Sequence, residues 1–195
     1  MIKMTLPFND ELIREGEDRI EKNPLTLEER DRRYKRIRAT MEKDELDCLI
    51  ISGGGLAIGG PLGPSTRYIT NRGACDLVIF PREGNPTAMT FVAHRKMMGY
   101  PPEFEPYYPH FLWVSDVQSF FPFSSWGAIK RVKELSYEKG NIGIVGLSGR
   151  LLSEGSMPWT TYNQIRAGLP QANFIDWSTE YDDLLLVKSP GRYYV

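Results

Sequence analysis

The stretch from Ser52 to Gly63 is the first in this chain with a composition that could do chemistry. Gly53, Gly54, Gly55, Gly59 and Gly60 could turn backbone amides toward an anion, as glycine-rich loops at helix starts do. The spacing matches neither familiar phosphate motif. No lysine lies between Ser52 and Ser65, where a G-x-x-x-x-G-K-[ST] loop needs one, and G-x-G-x-x-G would require glycine where Ile58 stands. Pro61 and Pro64 are expected to break any helix that would lend its dipole. A plain loop and an anion site both stay open; the second would make the chain a stand-alone module that binds an anionic small molecule through Gly53–Gly63.

The basic residues Arg30, Arg32, Arg33, Lys35, Arg36 and Arg38 could meet phosphates, but Glu28, Glu29, Asp31 and Glu42 hold neighbouring helical positions and can pair with them. A solvated helix face or a subunit contact is expected, not nucleic acid. The only histidines, His94 and His110, lie sixteen residues apart with no H-E-x-x-H spacing. Asp182 and Asp183 are adjacent on an expected helix, so their side chains diverge by about 100° and share no ion easily. No serine sits in a G-x-S-x-G elbow, and no base is identifiable beside Ser148. Residues and spacing alone yield no catalytic set and no metal site.

The elements that would position these residues follow from periodicity. Thr26 and Glu29 fit a capping box, and Leu27, Tyr34, Ile37, Met41 and Leu46 recur at helical spacing, predicting an amphipathic helix over about 26–45. A more polar helix is expected over 9–22, ended by Asn23-Pro24, as an outer arm covering residues 1–25. The apolar run within 47–52 predicts a buried strand, and 76–80 with 87–92 around a Pro/Gly-rich turn predicts a β-hairpin. The aromatic-rich stretch 99–123 reads as an irregular loop with one short strand near 111–114. Helix (124–138), strand (142–145), helix (158–168), strand (173–175) and helix (178–187) then alternate, which implies crossover units and a mixed buried sheet.

Composition agrees with one α/β domain. In 195 residues, 41% are hydrophobic and 12% aromatic, enough for a real core. The 24 basic and 25 acidic side chains leave a net charge of −1, without the basic excess of a polyanion binder. Cys48 and Cys75 are too few for a disulfide scaffold, and each adjoins an apolar run, so buried free thiols are expected. The N-terminus lacks the apolar stretch of a secretory signal, and no fully apolar run exceeds four residues, as at Cys48–Ile51. A cytoplasmic globular protein is the expectation.

The order of motifs says more than any one of them. Leu46–Ser52 (LDCLIIS) is followed by Arg67-Tyr68-Ile69-Thr70, the hairpin strand Leu77–Pro81 with Arg82-Glu83-Gly84, Trp113-Val114-Ser115-Asp116 and Ile142–Gly146. Met157-Pro158, Leu169-Pro170 and Asp183–Pro190 (DLLLVKSP) complete the series. From about Arg30 to Pro190 this succession resembles the N-terminal domain of the creatinase/prolidase family, which includes Xaa-Pro aminopeptidases and dipeptidases. The resemblance implies a mixed central sheet with flanking helices, of the ribonuclease-H-like type. In the family a "pita-bread" catalytic domain follows, holding two divalent metal ions through two Asp, one His and two Glu. Those ligands have no counterparts here, and residues 191–195 stand where that domain would begin.

The resemblance further implies a homodimer or tetramer, and residues lent to the rim of a neighbouring subunit's active site. An Arg after the Tyr motif meets a substrate carboxylate in the creatinases, and Arg72 is the nearest match; a guanidinium fork suits a carboxylate. His94 and Trp113 are the other rim candidates, although a core or subunit-contact role is the first expectation for Trp113 and a structural or exposed one for His94, and Tyr68 is expected to pack against the sheet. Two departures stand out: the glycine-rich insertion at 53–64 and a tail that lacks the usual acidic start of the next helix.

Overall fold

Thr26 caps the first helix by accepting the Glu29 amide on its hydroxyl at 3.2 Å, and α1 runs from Leu27 to Lys43. The second half of the expected capping box is replaced, because the Glu29 carboxylate turns to Arg32 and Arg33. Tyr34, Ile37, Met41 and then Leu46 are buried on one side, as their spacing requires. The computed structural model describes residues 26–53, 64–71, 75–90, 113–120, 123–149 and 155–187. The expected arm and the tail at 191–195 lie outside them.

After α1 come β1 (Cys48–Ser52), α2 (Pro64–Thr70), β2 (Leu77–Pro81), β3 (Thr87–Thr90) and β4 (Asp116–Ser119). Then follow α3 (Ser124–Glu134), β5 (Asn141–Val145), α4 (Trp159–Gly168), β6 (Asn173–Asp176) and α5 (Ser178–Leu186). The strands form one six-stranded sheet in the order β4-β3-β2-β1-β5-β6. Ile50 of central β1 faces Ile79 across an antiparallel pair and Ile144 across a parallel one. The expected hairpin is present, with Val78 opposite Ala88, and β3–β4 and β5–β6 pair parallel. Only β2 runs against the rest.

Helices cover both faces, so β1 is buried at every position. Leu49 and Ile51 share a core with Ile37 and Met41 of α1, Ile69 of α2 and Tyr181 of α5. Cys48 and Ile50 pack on the opposite face with Ala128 and Val132 of α3 and Ile165 of α4. Burying each such aliphatic side chain is worth about 1.5–3 kcal/mol. Both thiols are free and buried as expected; burial pushes Cys75 up to about 12, leaving no thiolate for chemistry.

Three expectations are corrected. The strand foreseen near 111–114 begins instead at Asp116: Trp113 and Val114 bury their side chains in non-strand backbone. The Asp116 carboxylate anchors the ladder by accepting the Thr87 hydroxyl at 2.6 Å. Pro64 opens α2 rather than preventing it, because a first-turn residue needs no amide donor. Helix α3 stops at Glu134, short of 138, where Ser136 takes left-handed backbone (φ 61°).

Candidate functional site

β1, β5 and β6 are parallel, so they end on one edge of the sheet, and the chain reverses its direction across the sheet between β1 and β5. Such a switch point is where α/β sheets form crevices for ligands. At this edge the Gly53 amide donates to the Asp76 carbonyl at 2.8 Å. A Cβ on Gly53 would overlap the Cys75 carbonyl oxygen, so close backbone approach alone explains this glycine. The described part of the suggested anion loop is therefore committed to the sheet. Gly54, Gly55, Gly59 and Gly60 lie outside the described residues.

Beside it, the Ser178 hydroxyl accepts the amides of Gly146 and Leu147 at 3.0 and 3.2 Å. It donates to Asp176 Oδ1 at 2.6 Å, while Asp176 Oδ2 accepts the Ser148 hydroxyl at 2.8 Å. Ser148 thus has an acidic partner that sequence reading missed, because parallel pairing brings Asp176 from 28 residues away. The groups of this network satisfy one another and tie the β5 turn to the start of α5.

The other cluster is built on Arg33. Its side chain is 1% exposed. The guanidinium carbon lies 4.4 Å from the Tyr68 ring centroid and 5.0 Å from that of Trp113, while Nε donates to Glu29 at 2.8 Å and Nη1 to the Tyr68 carbonyl at 3.2 Å. A planar cation can stack on its faces and hydrogen-bond along its edges at once. Burial pulls the Glu29 carboxyl upward, but the hydrogen bonds and charges of Arg32 and Arg33 together outweigh it and hold the group at about 2.

Neighbouring bonds complete the cluster. The Tyr34 hydroxyl donates to the Ile69 carbonyl at 2.9 Å, and the Trp113 amide to the Thr70 carbonyl at 3.2 Å. Burial raises the Tyr34 phenol, so it stays protonated and donates. Three successive carbonyls ending α2 are thereby satisfied from outside that helix. The Tyr68 hydroxyl and the Trp113 indole nitrogen are buried without a hydrogen-bond partner among the described residues.

Arg33 corrects the expectation of a solvated basic face. It falls on the i, i+4 stripe of Ile37 and Met41, a signal legible in the sequence had charge not been taken to mean exposure. Arg38 is also turned inward, donating to the Gly84 carbonyl and lying 5.2 Å from the Phe80 ring. Trp113, a suggested rim residue, is buried against Arg33, and Tyr68 packs with it. Arg72 and His94 lie outside the described residues, so Trp113 is the one of the three whose place is described. Asp182 is buried and Asp183 exposed, in keeping with their divergence along α5. Among the described residues no group of three or more His, Cys, Asp or Glu could hold a metal ion.

With this geometry established, relatives identify the domain. Residues 33–184 match the family described as the creatinase/prolidase N-terminal domain. The chain belongs to that family. No curated protein matches the sequence. Among solved structures, an Xaa-Pro dipeptidase from Bacillus anthracis is similar at 15% identity and a TM-score of 0.54, over 83% of this chain and 37% of that one. An aminopeptidase P (Xaa-Pro aminopeptidase) from Streptococcus thermophilus is similar at 14% identity and a TM-score of 0.51, over 80% and 97%. The N-terminal domain of the cytoplasmic peptidase PepQ from Mycobacterium tuberculosis is similar at 10% identity and a TM-score of 0.51, over 78% and 97%. At these identities the likeness establishes the fold, the mixed sheet with flanking helices expected of the family. The chain spans 37% of the length of the two dipeptidases it matches first.

Proposed function

We propose that this chain serves as the non-catalytic N-terminal domain of a creatinase/prolidase-family, metal-dependent hydrolase of Xaa-Pro peptidase type. In this role it builds a homodimer or tetramer and shapes substrate access to a neighbouring active site. The supporting observation is the family match over 33–184 on a chain spanning 37% of the length of a dipeptidase with the same fold. In this reading the two divalent metal ions and their ligands belong to a C-terminal pita-bread domain. Among the described residues no group of three or more His, Cys, Asp or Glu could hold them. Arg72, His94 and Trp113 are the residues proposed to reach the rim. A cytoplasmic setting goes with the proposal; no helix among the described residues is long and apolar enough to cross a membrane.

The test uses the 195-residue chain. Assayed with Xaa-Pro dipeptides and Mn²⁺ it should show no turnover, and sedimentation should give a dimer or tetramer. Metal-dependent turnover by the chain itself would overturn the non-catalytic role, and a monomer at tens of micromolar would overturn the assembly role.

A further inference from the structure

We infer that Arg33 is a positioning residue: its guanidinium docks the last turn of α2 and Trp113 onto α1 as one cooperative unit. The link to substrate access, through Trp113, rests on the function proposed above. The docking itself does not.

The argument begins with length. Helix α2 has 7 residues, well short of the roughly 12–15 an isolated helix needs for even marginal stability, so its order must come from what it touches. Its final carbonyls, Tyr68, Ile69 and Thr70, take donors from Arg33, Tyr34 and Trp113. Two of these donors come from α1, and the third from a segment more than forty residues further along the chain than α2. Of the two α1 donors, Arg33 meets both α2 and Trp113, through the faces of Tyr68 and Trp113 and through the Tyr68 carbonyl. Its positive charge also sits at the negative end of α2. The Glu29 carboxylate accepts from the guanidinium Nε at 2.8 Å.

The Tyr68 hydroxyl and Trp113 indole nitrogen make the unit separable. Each is buried with its polar atom unpartnered among the described residues, so each favours release into water. Docking therefore depends on the cation between them, and removing that cation should free both rings together. A lysine retains the charge and one donor but cannot stack flat against two rings while bonding at its edges.

The experiment labels the 195-residue chain with 5-fluorotryptophan, giving one ¹⁹F resonance for each of its 4 tryptophans, assigned by single Trp→Phe variants. In Arg33→Met the Trp113 resonance should shift or broaden, and exchange of the Trp113 amide should rise at least about tenfold. The Trp126 and Trp159 resonances and the β1 and β5 amides should not change. Arg33→Lys should recover only part of the protection. An unchanged Trp113 signal in Arg33→Met would overturn the inference, as would full rescue by lysine. Collapse of all four resonances in both variants would also overturn it, by making Arg33 an ordinary core residue. No readout involves catalysis, so failure here is distinguishable from failure of the proposed function.

Discussion

Trp177 donates its indole N–H to the Asp44 carboxylate at 2.7 Å, joining the end of α1 to the start of α5 across 133 residues of sequence. Trp177 is 2% exposed and fills the core beside Leu46 and Leu49, so this bond satisfies the donor of a buried side chain. Asp44→Ala should cost about 1–3 kcal/mol by leaving that donor buried and unpaired. Asp44→Asn keeps an acceptor and should cost well under half as much. Urea midpoints of the two variants check the ordering, and equal losses would assign the effect to the helix end rather than to the bond.

Glu29 makes stability depend on acid. Its folded value near 2 lies below the 4.5 of a free carboxyl, so its contribution is fully present above about 4.5. That contribution drains away as pH falls through the folded value, because the unfolded chain takes up the proton first. Glu29→Gln should be less stable than the parent at pH 7, and its stability should fall less steeply between pH 4.5 and 2. Denaturation midpoints across that window test the sign; parallel curves would show that the carboxylate is not coupled to folding.

Left-handed backbone ends three helices on residues other than glycine: Glu45 (φ 56°) after α1, Asn71 (φ 64°) after α2 and Ser136 (φ 61°) after α3. Glycine reaches that conformation without the Cβ penalty. Ser136→Gly should stabilise by about 0.5–1 kcal/mol and Ser136→Val should destabilise by at least as much. Calorimetry of the pair should move the melting temperature in opposite directions.

Gly53 has no room for a side chain. Gly53→Ala would drive a methyl group into the Cys75 carbonyl, and the β1–β2 junction should lose about 2–4 kcal/mol. That loss should appear with or without phosphate in the buffer. A ligand-dependent difference between Gly53→Ala and the parent would instead revive an anion role for this glycine.

Local pattern carried much of the architecture. The spacing of Tyr34, Ile37 and Met41, the unbroken run of β1, the turn between β2 and β3, and the helix–strand alternation after residue 124 each bury a face that neighbouring residues alone can specify. The family could be recognised because these pieces come in a characteristic order. The site was less visible. Asp176 meets Ser148 only because β5 and β6 pair in parallel, and Trp113 meets Arg33 only because two distant segments fold onto α1. Charge also misled: a guanidinium on an apolar stripe reads as solvent-facing until the rings that cover it are known. Periodicity reports which face of an element avoids water. Which partner covers that face, and whether a cation can be buried beneath it, depends on contacts between residues far apart in the chain, and these exist only in the folded state.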